Sequence, residues 1–282
     1  MNYQTTKRHI GTLDFSSNSP CVVFALSRES NPFSKTFDRR HRLVGTPCRA
    51  VSCCSQERSV LVVDSGIGSR NTEQTLDWLL GQPRIGSETY RPQLVISAGF
   101  GGALQPGYSV GDIILATDVI NEEGARWRVS WPTHVSDGAQ ARLSRNSVLT
   151  ASQIIGTPEE KRRLGSLHNA VAVDMESTIV AQHCDKHGVP FGCVKVISDD
   201  VDTALSPRLV SLVERGHVPK LRMAAALARE PRLVPQIWHL SKNTRIAAAR
   251  LATMLDSLLN PEGVESLSPG SQERTLDRLH GL

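Results

Sequence analysis

The sequence predicts an α/β fold, a single three-layer α/β/α domain in which helices cover both faces of a central sheet. Short apolar segments without polar alternation are typical of strands buried on both faces. These segments alternate with others of helical periodicity, which is the pattern of a sheet covered by helices. A chain of 282 residues with 39% hydrophobic residues is also large enough to bury one substantial core.

The candidate strands lie in the first two thirds of the chain. Each is a short apolar run, and together they comprise residues 21–26, 51–54, 60–63, 94–97, 113–116, 170–173 and 191–197. Polar or glycine-containing residues follow most of these runs directly. Because α/β sheets bind ligands at the carboxyl ends of their strands, we expect the functional site at that edge.

Two helices are predicted between these strands, and helical pattern dominates the last third of the chain. The first helix spans residues 69–80, with Leu76, Leu79 and Leu80 on its inner face, and the second spans residues 175–187. From residue 219 to residue 259, apolar residues recur at helical spacing on one face. The members of this face are Ala247, Leu251, Met254, Leu255 and Leu258.

One domain with loosely ordered ends is expected. Residues 1–20 are polar and are predicted to be a flexible N-terminal segment, and residues 21–259 form the domain, with residues 206–259 as a C-terminal helical extension. Residues 260–282 are rich in Ser, Gly and charge, which predicts a flexible tail.

Composition argues against several classes of protein. The net charge of +4, with 21% charged residues, is mild and dispersed, so no nucleic-acid partner is predicted. No run approaches the ~20 apolar residues of a membrane span, which leaves peripheral membrane contact open. The six cysteines include no CxxC pair, and the polar N-terminus has no apolar core of signal-peptide length. Reduced thiols and a cytoplasmic location are therefore expected.

Two glycine clusters, Gly66-Ile67-Gly68 and Gly99-Phe100-Gly101-Gly102, each follow a predicted strand. The first has Asn71 where a dinucleotide-binding fingerprint needs its third glycine, and neither is followed by the Gly-Lys-Ser/Thr of a phosphate-binding P-loop. Close approach of the backbone to a ligand and simple tight turns both remain open as explanations.

Three carboxylates, Glu29, Glu176 and Asp199, lie just beyond a predicted strand or in the first turn of the helix that follows one. Separate strand ends bring such acids to one rim of a sheet, although acids at helix starts also serve only as caps, and Asp174 fits that role. His183 and His187 enclose Cys-Asp-Lys rather than the Glu-x-x of a zinc protease, so no metal site is predicted.

Ordered motifs between residues 21 and 202 resemble a known family. They are Ala25-Leu26-Ser27-Arg28-Glu29, Ser65-Gly66-Ile67-Gly68, Gly99-Phe100-Gly101-Gly102, Val110-Gly111-Asp112-Ile113, Val173-Asp174-Met175-Glu176-Ser177, Gly188-Val189-Pro190-Phe191 and Val196-Ile197-Ser198-Asp199. In this order they resemble the nucleoside phosphorylase superfamily, and within it the methylthioadenosine/S-adenosylhomocysteine nucleosidases. The resemblance implies a mixed, partly barrel-like sheet, a small-molecule nucleoside substrate, no cofactor, and a homodimer or larger homo-oligomer.

The resemblance also implies roles for individual residues. Asp199 would protonate N7 of the leaving adenine, Glu29 would deprotonate the attacking water, and Glu176 would bind the ribose hydroxyls, with Met175 packing on the sugar. The other implied substrate contacts are Ser198, Gly99, Phe100, Gly101, Gln153 and Ile154. The implied site of the nucleophile, water or phosphate, comprises Ser65, Gly66 and Lys195.

Two departures from that family affect the nucleophile. Lys195 stands where these nucleosidases usually carry arginine, and Phe100 where they usually carry serine; lysine keeps the charge but loses the bidentate fork. We expect water as the nucleophile, because Glu29 would repel a phosphate dianion. A phosphorolytic enzyme is the alternative within the superfamily, and an inactive ligand-binding or storage relative is the alternative from another class.

A narrower resemblance concerns the substrate. The segment Thr157-Pro158-Glu159-Glu160-Lys161, Asp-Met-Glu-Ser, and residues 204–207 and 229–235 resemble the hopanoid-associated phosphorylase branch, which implies an adenosylhopane-type substrate. The apolar residues Leu233, Val234, Ile237 and Trp238 would then serve a lipid tail. Packing of these residues on the core or on a partner subunit explains them as well.

Overall fold

A computed structural model of the protein describes residues 15–55, 58–129, 142–205 and 233–259, with the side chains of the last segment from residue 241 onward. The first half of the fold runs through strands and helices in the order β1 (Cys21–Phe24), α1 (Ser27–Ser34), β2 (Arg39–Arg42), β3 (Arg49–Cys54), β4 (Ser59–Asp64), α2 (Ser69–Leu80), β5 (Arg84–Ile85) and β6 (Glu88–Thr89).

The second half contains most of the strands that border the candidate active site. Its elements are β7 (Val95–Ala103), β8 (Ile113–Asn121), β9 (Arg126–Arg128), β10 (Leu143–Thr150), α3 (Pro158–His168), β11 (Ala172–Asp174), α4 (Ser177–His187), β12 (Phe191–Asp199) and α5 (Leu233–Leu258).

A mixed central sheet organises the domain. Its strand order is β11-β10-β8-β12-β7-β1-β4-β3-β2, with β9 paired to β8. β11 also pairs with β7 in antiparallel orientation, through Ala172 with Ala103 and Val173 with Gly102. That pairing closes β7, β12, β8, β10 and β11 into a ring, so the predicted mixed, partly barrel-like sheet is confirmed.

Helices cover both faces of the sheet, as the three-layer prediction required. On one face α1 and α5 enclose a core that includes Phe24, Phe33 and Leu255; on the other, α2 and α4 enclose one that includes Leu76 and Val180. The predicted apolar face of the C-terminal helix is buried throughout: Ala247, Leu251, Met254, Leu255 and Leu258. Predictions for residues 1–14, 206–232 and 260–282, and for the side chains of Leu233, Val234, Ile237 and Trp238, lie outside the described residues.

The glycine cluster at residues 99–102 is strand, not the loop that the sequence suggested. It continues β7, where Gly99 pairs with Lys195 and Gly101 with Ile197 of the parallel neighbour β12. Backbone pairing of the whole cluster with β12, and of Gly102 with Val173 of β11, outweighs the low strand propensity of glycine. A side chain at Gly99 would place its Cβ 2.9 Å from Oε1 of Glu29, so the glycine allows the carboxylate to pack on the sheet.

The predicted boundaries of two other elements also shift. β12 was expected to end at Ile197 but runs to Asp199, with a register irregularity between these two residues. The helix expected from Met175 begins at Ser177, because residues 172–174 form β11 and turn into it. The bulge matters for the site, because it redirects the side chain that follows it.

Helix α3 was not predicted, and it supplies a buried charged residue. Thr157 caps its start, since its side-chain oxygen accepts the N–H of Glu160 at 3.3 Å, and Asn169 ends it in the left-handed conformation with φ of 51°. The face of α3 turned inward comprises Lys161, Leu164, Gly165 and His168. A lysine on the buried face of a helix needs a specific partner.

The six cysteines, all within the described residues, are free thiols. None of the helices in the described segments is both long enough and apolar enough to cross a membrane.

Candidate active site

The carboxyl ends of β1, β7, β11 and β12 surround a cavity of about 180 Å³. Glu29, Glu176 and Asp199 all line it, so the three strand-end acids of the sequence analysis meet at one site. The other lining residues are Ala25, Leu26, Ile67, Phe100, Gly101, Gly102, Gln153, Ile154, Ile155, Val173, Asp174, Met175, Ser198 and Leu205.

Glu29 occupies the first turn of α1 and is 4% exposed. One carboxylate oxygen, Oε2, accepts the N–H of Leu26 at 2.9 Å, and the other, Oε1, accepts the N–H of Phe100 at 2.9 Å. Burial raises the pKa of Glu29 above its usual value, while these backbone donors and Lys195 lower it in part. A carboxylate with a raised pKa is a better proton acceptor, which suits a general base.

Glu176 lies at the start of α4 and faces the loop after β4. Its Oε1 accepts the backbone N–H of Gly68 at 2.9 Å. Gly66 and Gly68 have φ of 92° and 87°, values that favour glycine, so the loop depends on both. Burial of the carboxyl group, and then the nearby charge of Asp174, raise the pKa of Glu176 to about 7.

Asp199 ends β12 and is held through both carboxylate oxygens. Oδ1 accepts the hydroxyl of Ser198 at 2.7 Å, and Oδ2 lies 2.6 Å from Nζ of Lys161. The side chain of Asp199 is 10% exposed, and that of Lys161 is fully buried. The carboxylate therefore faces the cavity while its counter-ion lies behind it.

A second, very small cavity of about 10 Å³ adjoins Glu29 and Glu176. Its polar lining also includes Ser65, Ser97 and Lys195. A cavity of this size has room for about one water molecule. The chemistry of its walls, with two carboxylates and one ammonium group, suits a water that both donates and accepts hydrogen bonds.

Lys195 borders this small cavity but is held by the protein. Its Nζ lies 2.7 Å from Oδ2 of Asp174 and 3.2 Å from the hydroxyl of Ser97. Burial alone would lower the pKa of Lys195, but the charge of Asp174 outweighs it, so the pKa lies above the usual value. The lysine stays charged at physiological pH.

Asp174 also stabilises the start of α4. Its carboxylate accepts the backbone N–H of Ser177 at 3.2 Å and the hydroxyl of Thr150 at 2.7 Å. Sequence reasoning assigned this helix-start role to Asp174, but it did not foresee the ion pair with Lys195.

The remaining predicted site residues divide between the two cavities. Gln153, Ile154, Met175, Ser198 and Gly101 line the larger one. Gly99 and Ser65 line the smaller one, and Phe100 lines both. Gly66 lines neither, because it lies in the turn behind Ser65, where its N–H donates to the oxygen of Ala25 at 3.0 Å.

Sequence reasoning missed Lys161, Ser97, Ile67 and Leu205 at this site. A signal for Lys161 was present, because it shares a face with Leu164 and His168 at positions i, i+3 and i+7. A lysine in that apolar series indicates a buried ion pair. Ser97 carried no such signal, since serine is common at the end of a strand.

Comparisons with known proteins show which enzymes this chain resembles. The 5′-methylthioadenosine/S-adenosylhomocysteine nucleosidase of Staphylococcus aureus strain JH9 is 24% identical over 197 residues, which cover 62% of this chain and 83% of that protein. The solved structure of the nucleosidase of the same name from Neisseria meningitidis, bound to methylthio-immucillin-A, has a TM-score of 0.62 at 17% identity, and the match covers 86% of this chain and 98% of that one.

A futalosine hydrolase mutant from Helicobacter pylori has a similar fold, with a TM-score of 0.61 at 19% identity over 86% of this chain and 100% of that one. The named relatives are thus nucleosidases, the class of enzyme predicted from the sequence, and a futalosine hydrolase. The sequence pattern of one family, the phosphorylase superfamily, matches residues 23–216. Since that match spans most of the chain and includes all three cavity acids, the protein belongs to the phosphorylase superfamily.

Proposed function

We propose that the protein is a purine nucleosidase that cleaves the N-glycosidic bond of a 5′-substituted adenosine and releases adenine. The observation that carries this proposal is the convergence of Glu29, Glu176 and Asp199 on one cavity, each held by hydrogen bonds to its oxygens. The named relatives support the same class of reaction.

Each acid suits one part of that reaction. As the bond between C1′ and N9 breaks, negative charge builds on the base and positive charge on the ribose. Asp199 gives its proton to N7, and general acid catalysis of this kind contributes roughly 10²–10⁴-fold. Glu176 accepts hydrogen bonds from the ribose hydroxyls, which are stronger to a carboxylate than to a neutral group. Glu29 takes the proton of the water that adds to C1′.

The small cavity supports water over phosphate as the nucleophile. Its volume of about 10 Å³ lies against Glu29 and Glu176, so a phosphate dianion would meet both a steric limit and two carboxylates. Lys195, the cation that borders it, already neutralises Asp174 at 2.7 Å. Phosphorolysis is therefore the second candidate, and a ligand-binding or storage role without catalysis is the third.

The 5′ substituent belongs to the same proposal. Methylthioadenosine and S-adenosylhomocysteine appear in the names of the relatives. Resemblance in Asp174-Met175-Glu176-Ser177 and in residues 157–161 adds substrates of the adenosylhopane type. We further propose a cytoplasmic homodimer or larger homo-oligomer, because free thiols suit a reducing compartment and the sequence resembles a family of oligomers.

One assay separates these candidates. Adenine release is measured from methylthioadenosine, S-adenosylhomocysteine and an adenosine with a long 5′-alkyl chain, each with and without phosphate. We expect release that is independent of phosphate and yields the free sugar. Formation of a ribose 1-phosphate would establish the phosphorylase instead. Tight binding of all three compounds without release would establish the ligand-binding relative.

The proposal of a lipid-tailed substrate is tested by comparing the wild type with one variant. Truncation before residue 233 would remove the whole of α5 together with its apolar N-terminal part. The sharper change is therefore substitution by serine of Leu233, Val234, Ile237 and Trp238. If a lipid-tailed substrate is correct, activity falls on the long-chain adenosine and stays near wild type on methylthioadenosine. An equal loss on both compounds would remove the support for a lipid-tailed substrate.

A further inference from the structure

A buried lysine lies directly behind the proposed general acid. Nζ of Lys161 is 2.6 Å from Oδ2 of Asp199 and also donates to the backbone oxygens of Asp200 at 2.8 Å and Thr203 at 3.1 Å. An ammonium group has three donors, and each has an acceptor in this arrangement. Because the side chain is fully buried, Lys161 has one fixed position relative to Asp199.

We propose that Lys161 is a positioning residue for the general acid: it orients Asp199 toward the base and stabilises the carboxylate that Asp199 becomes after it donates its proton. This inference rests on the proposed function, in which Asp199 protonates the leaving base. Lys161 itself contacts Asp199 and backbone oxygens and acts through them.

The contact between Lys161 and Asp199 affects the rate because Asp199 gains its negative charge during the reaction. When the C1′–N9 bond breaks, its electron pair goes to the base, the proton of Asp199 moves to N7, and Asp199 becomes an anion 2.6 Å from the ammonium group. An interaction that strengthens while charge develops lowers the barrier, rather than only tightening substrate binding. Solvent then returns a proton to Asp199, and Glu29 releases to solvent the proton it took from water.

The same contact fixes the geometry of the acid and of the base pocket. Ser198 holds Oδ1 of Asp199 at 2.7 Å and Lys161 holds Oδ2 at 2.6 Å, so rotation of the carboxylate would break one or both bonds. The bonds from Lys161 to Asp200 and Thr203 also anchor the turn that leads to Leu205, which lines the cavity.

Other charged groups near the pair have different partners or positions. The carboxylate of Asp200 accepts the hydroxyl of Thr203 at 2.6 Å, and Arg162 pairs with Asp202 on the exposed side of the turn. Glu29, Asp174 and Glu176 face the cavity as anions or potential anions. Among the described residues, Lys161 is the cation paired with Asp199.

The test is Lys161→Met, which keeps the length of the side chain and removes its charge. We expect kcat for adenine release to fall by about tenfold or more, a share of the roughly 10²–10⁴-fold of general acid catalysis, with a smaller change in KM. This split between kcat and KM is the readout of a positioning role, because the contact strengthens only as Asp199 becomes an anion.

Arg162→Gln is the matched control. Arg162 lies on the same helix and links it to the same turn through Asp202, but its contact lies outside the cavity. We expect this variant to keep the wild-type kcat and KM. If Lys161→Met also kept the wild-type kcat, the proposal would be overturned, whatever its effect on stability.

Making the Lys161→Met change in a second variant, Asp199→Asn, separates a positioning role from a purely structural one. In Asp199→Asn, the group through which Lys161 acts is absent, so adding Lys161→Met should change kcat/KM little. A further loss as large as in the wild type would show that Lys161 supports the fold alone. Should Lys161→Met not fold, kcat and KM are measured for Lys161→Gln, which keeps a donor for the backbone oxygens. Equal adenine release by wild type and Asp199→Asn would instead remove Asp199 from the acid role, and absence of adenine release by the wild type would refute the proposed function.

Discussion

Two buried lysine–aspartate pairs border the candidate site, and they differ in how far the aspartate is exposed. In the pair Lys161–Asp199, the aspartate side chain is 10% exposed and the lysine is fully buried behind it. In the pair Lys195–Asp174, both side chains are nearly buried, at 3% and 1%. The two pairs have almost the same separation, 2.6 Å and 2.7 Å, so distance alone does not distinguish their roles.

Their remaining hydrogen bonds do distinguish them. Asp174 accepts bonds from Thr150, from the backbone and hydroxyl of Ser177, and from Lys195, and these donors surround its carboxylate. Asp199 accepts from Ser198 and Lys161, and its side chain is 10% exposed against 1% for Asp174, although both residues line the cavity. A carboxylate surrounded by protein donors serves structure, whereas one that keeps a side toward a cavity is available to a ligand.

The largest expected effect separates the pairs by activity. Asp199→Asn keeps the shape of the side chain but removes the proton donor, so kcat for adenine release should fall by roughly 10²–10⁴-fold. The assay is adenine release from methylthioadenosine under saturating substrate. Asp202→Asn, an exposed carboxylate three residues along the chain, is the control and should keep wild-type activity. Unchanged activity in Asp199→Asn would remove this residue from the acid role.

The sequence predicted several features of the fold and of the site around these two lysine–aspartate pairs. Helix α2 was predicted with its observed bounds, because Leu76, Leu79 and Leu80 mark its buried face. Glu29 and Asp199 were selected because each follows a strand, and strands that run parallel bring their carboxyl ends to one edge. These predictions depend on local periodicity, which a single sequence contains.

What the sequence did not predict depends on pairing between distant residues. Lys161 and Asp199 are 38 residues apart in sequence, and their contact exists only because α3 packs against the end of β12. The glycines at 99–102 form strand because β12 provides backbone partners for all of them and β11 pairs with Gly102, against their own weak preference. Neither the Lys161–Asp199 contact nor the strand conformation of residues 99–102 can be predicted from the residues of one segment alone.

The second expected effect separates the pairs by stability. Lys195→Met leaves Asp174 buried without its cation, and breaking a buried ion pair in this way costs about 3–5 kcal/mol. Urea unfolding measures the loss. We expect a smaller loss for Lys161→Met, because water in the cavity can solvate Asp199. The double variant Lys195→Met/Asp174→Asn, which removes both charges, should recover part of the loss; no recovery would mean that the lysine contributes by packing alone.

The smallest expected effect concerns Glu176, which borders both cavities and lies close to Asp174. Its pKa in the folded protein is about 7, against an ordinary value of 4.5, so the folded state binds this proton more tightly than the unfolded state does. The stabilising contribution of the protonated form is complete below pH ~4.5 and is lost as pH rises toward ~7.

Glu176→Gln removes this titration. From pH 5 to pH 8, the free energy of unfolding of the wild type should therefore fall relative to that of Glu176→Gln, by at most about 3 kcal/mol. Urea unfolding at the two pH values measures the difference. Glu160→Gln is the control: Arg163 lowers the pKa of the exposed Glu160, so the stabilising contribution of Glu160 is lost only as pH falls below ~4.5, and this variant should show the wild-type change from pH 5 to pH 8. If the wild type and Glu176→Gln showed the same pH dependence, the raised pKa would not describe Glu176. The carboxylate would then be fully charged at neutral pH, ready to bind the ribose hydroxyls without first losing a proton.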